Sequence, residues 1–146
     1  MYEWLFAPPG RTPPNWDAPR ARPSLLETIG GPNSTLLVSE SESGGLVGLI
    51  SAYLDFTSVR FGLRCWVEDL AVDPDHRSAG IGKALLDAAK GWAKERGATH
   101  LELDTGLARA DAQRFYERER PATVGYSYSW ELWRCARRQG IVALAQ

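Results

Sequence analysis

The 146-residue sequence contains only two histidines, two cysteines and one methionine, and no surplus of charge: 17 lysines and arginines face 18 aspartates and glutamates. Each scarcity removes a class of function. Without a net positive field the chain has no means of holding nucleic acid or an anionic membrane nonspecifically, so any anion must be bound locally. Cys65 and Cys135 are too few and too separated for a disulfide framework or a thiolate metal site, and they read as reduced structural thiols. His76 and His100 have no acid or cysteine at metal-ligand spacing, so no metal is expected. No apolar run approaches a membrane span, and Met1 to Phe6 has no basic region followed by an apolar stretch. The expectation is a soluble, cytoplasmic protein, in which the sequon Asn33-Ser34-Thr35 carries no weight.

What the chain does have is enough apolar content, 44%, for one compact domain with a real core, and no composition shift marks a second. Its first thirty residues hold Pro8, Pro9, Pro13, Pro14, Pro19 and Pro23, which exclude a long regular element across them. Short pieces fit: Tyr2 to Phe6 as a helix end or docking segment, and Pro23 to Ile29 as a helix with Pro23 in its first turn and Gly30-Gly31 as its stop. Thr35 to Ser39 and Leu46 to Phe56 read as a hairpin around Ser41 to Gly45, and Thr57 to Arg64 leads into a third strand, Cys65 to Val72. Asp73-Pro74-Asp75 ends that strand. Ile81, Leu85, Ala88 and Trp92 recur at helical spacing, which predicts an amphipathic helix over Ile81 to Arg96 closed by Gly97. Leu101 and Leu103 alternate with Glu102 and Asp104 in a fourth strand, Asp111 to Arg118 makes a short helix, and Val124 to Trp133 reads as a last, aromatic strand. A hairpin run followed by alternating helices and strands predicts an α/β (α+β) fold with a single mixed central sheet.

Two places carry chemistry. In the third strand the inward apolar residues are Cys65 and Val67, then Leu70 and Val72, a change of phase that strict alternation forbids. One extra residue at Glu68-Asp69, a β-bulge, restores the inward face, splays the strand and brings two carboxylates to that point. The second place is Arg77-Ser78-Ala79-Gly80-Ile81-Gly82-Lys83, where the strand gives way to the helix. The first N–H groups of a helix lack internal partners and lie at the positive end of its dipole, so main chain alone can hold a phosphate there. Gly80 and Gly82 permit close approach, and Arg77 with Lys83 adds charge. A Walker loop would need glycine at Arg77 and a hydroxyl residue at Ala84, and the dinucleotide fingerprint a third glycine at Leu85; neither applies.

The segments Val67-Glu68-Asp69-Leu70-Ala71-Val72-Asp73-Pro74, Arg77-x-x-Gly80-x-Gly82 and Ala112-Gln113-Arg114-Phe115-Tyr116-Glu117 occur in an order and spacing that resembles the GNAT superfamily of N-acetyltransferases, over about residues 34 to 133. Asp104-Thr105-Gly106 followed by Arg109-x-Asp111-Ala112-x-Arg114-Phe115-Tyr116 is similar to its small-molecule amine branch, which includes aminoalkylphosphonate acetyltransferases. The resemblance implies a single acetyltransferase domain over 1–146, with a proline-rich amino segment (1–33), a core of about 34–133 and a tail (134–146), and an amino-terminal strand of the family missing. It implies acetyl-coenzyme A as cosubstrate, its pantetheine arm paired with the main chain of Leu70, Ala71 and Val72. Arg77, Ser78, Ala79, Gly80, Ile81, Gly82 and Lys83 would hold its pyrophosphate, with Asp111 and Phe115 also at the coenzyme.

By the same resemblance, Tyr116 protonates the departing thiolate, and Glu68, Asp69 or a water takes the proton of the attacking amine, with the Leu70 N–H as donor to the thioester oxygen. The acceptor expected is a small-molecule amine. Substrate choice would lie with the proline-rich segment, the loop Phe56 to Arg64, and the aromatics of the last strand, although Trp66, Tyr128 and Trp130 are residues found more often in a core or a homodimer interface. Arg120-Pro121 stands where the family usually has glycine and an aromatic, so the entry to the last strand must differ. The rival readings are acetylation of a protein amino group, a noncatalytic acetyl-coenzyme A sensor and a structural dimerisation domain; the intact tyrosine and acidic pair favour an enzyme.

Overall fold

Three apolar-rich runs build an antiparallel meander, β1 (Ser34–Glu40), β2 (Leu46–Ser58) and β3 (Gly62–Val72). In this computed structural model, which describes residues 1–14 and 16–130, a short fourth strand, β4 (His100–Glu102), joins β3 in parallel and completes one mixed sheet of order β1-β2-β3-β4. Among the described residues four α-helices accompany it: α1 (Tyr2–Phe6), α2 (Ala18–Gly30), α3 (Ile81–Glu95) and α4 (Ala110–Arg118). No helix among the described residues is long and apolar enough to cross a membrane. The stretch from Phe56 to Arg64 is mostly strand, with the turn confined to Val59–Phe61 and Gly62 adopting a left-handed φ of 83°.

The core lies between the sheet and α3. Ile50, Ala52, Cys65 and Val67 meet Leu85, Leu86, Ala89 and Ala93, with Ile81, Trp92 and Phe115 packed at the margin. The buried stripe of α3 thus runs through Leu85, Ala89 and Ala93, and Ala88 faces outward. Small alanines at these positions let the helix axis approach the sheet, and Gly48 of β2 lies at the closest point. A Cβ on Gly48 would sit 3.0 Å from both Ile81 Cγ2 and Leu85 Cδ1. Gly48→Val is therefore expected to destabilise the fold by about 1–3 kcal/mol through overpacking, read as a lowered denaturant midpoint with an unchanged m-value.

On the opposite face, α1 packs on β3 and α2 on β1. Tyr2, Phe6 and Trp16 form an aromatic cluster, with ring centroids 5.3 Å (Tyr2–Trp16) and 4.7 Å (Phe6–Trp16) apart. Arg109 Nη2 ties α1 to the segment before α4 by donating to the Leu5 carbonyl at 2.6 Å. Helix α2 begins five residues earlier than the prolines suggested, with Pro19 in its first turn and Pro23 inside. Pro23 removes only the bond to the Pro19 carbonyl and lies exposed, where water can serve that oxygen.

The last predicted strand does not form where it can be seen. Val124, Tyr126, Tyr128 and Trp130 are exposed in a segment without strand pairing, and residues 131–133 and the tail lie outside the described part. Arg120 takes a left-handed φ of 53° and Pro121 follows it, a pair that ends the preceding helix. Aromatic alternation is a preference for a pleated, half-buried surface and cannot supply the ladder by itself.

Candidate active site

The phase change in β3 is a bulge. Asp69 pairs with Ser51 and Val67 with Ala52, so Glu68 is the extra residue, and Val67 and Leu70 both keep the α3 side. Pairing with β4 covers only Arg64–Trp66 of β3. From Val67 to Val72 the β4-facing edge of β3 has no strand partner among the described residues, so the main-chain groups of this stretch that point away from β2 meet no neighbouring strand.

That open edge runs into the phosphate-type loop. A single 3-10 turn, Pro74–His76, is capped by Asp73, whose carboxylate accepts from the Asp75 N–H at 3.1 Å. The exposed residues Arg77, Ser78, Ala79 and Gly80 follow, with Ser78 and Gly80 at left-handed φ values of 65° and 83°. Gly80 caps α3 without a side-chain hydrogen bond, and the first intrahelical bond is from Ala84 N to Gly80 O. The N–H groups of Ile81, Gly82 and Lys83 are consequently available to an anion. Arg77 Nε donates to the Val72 carbonyl at 3.4 Å, which leaves its other nitrogens free to turn outward. Lys83 is engaged by Asp87 and, at 3.6 Å, by Glu119, so its charge is partly spent within the protein.

Helix α4 packs beside this corner. Phe115 Cζ lies 3.4 Å from where a Cβ on Gly82 would stand. Tyr116, its ring 5.1 Å from that of Phe115, has its phenol pushed up to about 12, chiefly by burial; Arg109 pulls it down and Asp104 pushes it up by less. The phenol therefore keeps its proton across the whole physiological range. Asp111 is exposed on the first turn of α4 and pairs with Arg114.

The acidic pair opens into a cavity of about 320 Å³ on the α1–α2 face of the sheet. Both Glu68 and Asp69 line it, although neighbours on a regular strand would face opposite sides; the bulge is what brings them together. Asp69 Oδ2 accepts from Tyr2 Oη at 2.9 Å and Ser51 Oγ at 3.2 Å, while the Asp69 N–H donates to Ser51 Oγ at 3.2 Å. Glu68 Oε2 accepts from Trp66 Nε1 at 3.0 Å and from Tyr53 Oη at 3.5 Å. Burial and the adjacent carboxylate hold the Tyr2 phenol well above its usual range. Trp16, Leu25 and Thr28 close the other wall.

The structure therefore gathers Glu68, Asp69 and the open edge at Leu70 to Val72 around one bulge, and sets the loop from Arg77 to Lys83 next to α4. It does not bring Tyr128 or Trp130 to the cavity. Sequence reasoning missed Tyr2, Trp16, Ser51 and Tyr53 as site residues. Ser51 was recoverable as the only polar residue inside an otherwise apolar stretch, Leu46 to Ala52. Tyr2 was not, because its partner lies 67 positions away. Among the described residues no group of histidine, cysteine, aspartate and glutamate could hold a metal ion.

Comparison with known proteins points the same way. The model of the acetyltransferase (GNAT) family matches residues 1–120. An uncharacterized N-acetyltransferase of Bacillus subtilis is 37% identical over 91 residues, which are 62% of this chain and 63% of that protein. The aminoalkylphosphonate N-acetyltransferase of Salmonella typhimurium is 38% identical over 77 residues, 53% of this chain and 50% of that one. The chain thus spans between half and two thirds of the length of these relatives. Among solved structures, AAC(6')-Iy in complex with the bisubstrate analog CoA-S-monomethyl-acetylneamine shares the fold with a TM-score of 0.73, at 17% identity over 84% of each chain.

Proposed function

The chain belongs to the acetyltransferase (GNAT) family, and from that premise we propose that it is an acetyl-coenzyme A-dependent N-acetyltransferase whose acceptor is a primary amine of a small molecule. The observation that carries this reading is the edge of β3, without a strand partner among the described residues, leading directly into the N–H groups at the start of α3 that have no intrahelical partner. An extended amide-bearing arm suits the first and a pyrophosphate the second, and a thioester ligand has both. The residues present fit that ligand: a Cβ on Gly80 would meet nothing within 4 Å, and the loop before α3 is exposed.

In this reading acetyl-coenzyme A supplies the acetyl group as an activated thioester. Leu70, Ala71 and Val72 pair with its arm, and Arg77 through Lys83 hold its pyrophosphate, with Phe115 and Asp111 alongside. The acceptor amine must be neutral to form its bond to the acetyl carbon, and the proton it sheds goes to Glu68 or Asp69, directly or through water. The carbon–sulfur bond breaks as the carbon–nitrogen bond forms, and Tyr116 gives its proton to the departing sulfur. The Leu70 N–H donates to the thioester oxygen in this reading as that oxygen gains charge.

The direct test follows free thiol release from acetyl-coenzyme A across a library of amines. Turnover with small amines supports the proposal; coenzyme A binding without turnover on any amine would instead indicate a noncatalytic binder. A narrower test concerns the loop. Gly82→Val puts a branched side chain against Phe115 and into the approach to the N–H groups, and is expected to weaken acetyl-coenzyme A binding at least about tenfold, the loss of one charge-assisted hydrogen bond. Calorimetric titration reads the affinity, and an unchanged melting temperature separates that loss from unfolding. Wild-type affinity in this variant would move the pyrophosphate elsewhere.

A further inference from the structure

Among the described residues, the cavity beside the bulge is lined by two carboxylates and by no lysine, arginine or histidine. Its titratable lining is Glu68, Asp69, Tyr2 and Tyr53, and neither carboxylate takes part in an ion pair among the described residues. The nearest arginine on the strand, Arg64, is already committed to Asp55 and, at 3.1 Å, to Glu102. Every donor that the described residues supply to the two acids is neutral: Tyr2 and Ser51 to Asp69, Trp66 and Tyr53 to Glu68. Such donors orient a carboxylate without cancelling its charge, and they occupy one oxygen of each acid, Oδ2 and Oε2, leaving Oδ1 and Oε1 for something else.

One carboxylate suffices to take a proton from an attacking amine. The second then faces the same cavity without a charged partner among the described residues, Glu68 exposed and Asp69 half-buried, so a cation on the ligand can pair with it. The remaining walls combine the aromatic rings of Tyr2, Trp16 and Tyr53 and aliphatic Leu25 and Ala52 with the hydroxyl residues Ser24, Thr28, Ser34 and Ser51, and the rings suit a hydrocarbon stem and a cation over a ring face. Resting on the acceptor site proposed above, we infer that the acceptor is a polycationic amine: one amino group is acetylated, and a second, still protonated, is anchored between the acidic pair and the aromatic wall. The same field disfavours an amine carrying a phosphonate or carboxylate, since no lining residue could neutralise it. In this respect the pocket departs from what the name of the Salmonella typhimurium relative would suggest.

Three probes of similar length test this: 1,4-diaminobutane, 1-aminobutane and 2-aminoethylphosphonate. Binding to the full chain is read without acetyl-coenzyme A, by calorimetry and by the fluorescence of Trp16 and Trp66, so that the result does not depend on catalysis. The diamine is expected to bind at least about tenfold more tightly than the monoamine, with the phosphonate weakest. That preference should shrink as salt is raised from 50 to 500 mM, and it should collapse toward parity in Glu68→Gln/Asp69→Asn. Equal affinity for diamine and monoamine, tightest binding of the phosphonate, or a diamine preference that survives the double substitution would each overturn the inference. Thiol release on the same three amines then separates the two proposals: diamine binding without acetylation would end the acetyltransferase reading and leave the polycation site standing, and acetylation without the charge preference would do the reverse.

Discussion

Tyr116→Phe is expected to lower kcat by on the order of a hundredfold or more, the usual contribution of a positioned general acid, while leaving acetyl-coenzyme A affinity near that of the wild type. The phenylalanine keeps the ring against Phe115 and removes only the hydroxyl, so packing is preserved. The pH dependence makes the assignment sharper. With its phenol pushed up to about 12 by burial, Tyr116 stays protonated until far above neutrality, and any alkaline fall in kcat below pH 10 belongs to another group. Wild type and variant should therefore show rate profiles of the same shape and different height. Stability should differ in the opposite range. The unfolded tyrosine loses its proton near pH 10 and the folded one near 12, so between these values the native state binds more protons and stability falls as pH rises. Tyr116→Phe should abolish that part of the decline, as measured by denaturant midpoints at pH 9 and 11. Unchanged turnover in the variant would remove Tyr116 from the mechanism.

The double variant Glu68→Gln/Asp69→Asn is expected to lose at least about a hundredfold in kcat/KM for the amine at neutral pH, with acetyl-coenzyme A binding retained. Both amides can still accept hydrogen bonds from the neutral donors around them, so the wall formed by Tyr2, Ser51, Tyr53 and Trp66 has no reason to open. The single substitutions then divide the work. The one that reproduces most of the loss identifies the base, and the other should act mainly on KM. Full activity of both single variants at every pH would place the base elsewhere or make it a bound water. Raising pH offers a further check, because an amine supplied already neutral needs no base, and the defect should narrow as the acceptor deprotonates.

Much of this site was legible in the chain because its chemistry is local. The bulge was visible as a phase slip between Val67 and Leu70, since side chains alternate with period two and a single inserted residue is the cheapest way to keep both inside. The loop from Arg77 to Gly82 was visible because glycines next to a helical period mark a helix start, and a helix start is an anion site wherever it occurs. The α3 stripe was misread by one position, at Ala88, because alanine is equally at home in a core and on a surface and only the approach of Gly48 settles which face turns inward. The final strand was misread because β propensity reports suitability for a sheet and says nothing of a partner.

By itself, then, the sequence determined the elements whose causes lie within a few residues: the meander, the splay at Glu68, the free N–H groups before α3 and the tyrosine on α4. Only the tertiary structure decided what these elements face. It laid a proline-rich segment with no long-range signature across β1 and β3, so that Tyr2 reaches Asp69 from 67 residues away, and so turned an exposed acidic bulge into a walled, negatively charged pocket. Contacts of that span depend on the summed packing of the whole chain, and no local pattern encodes them.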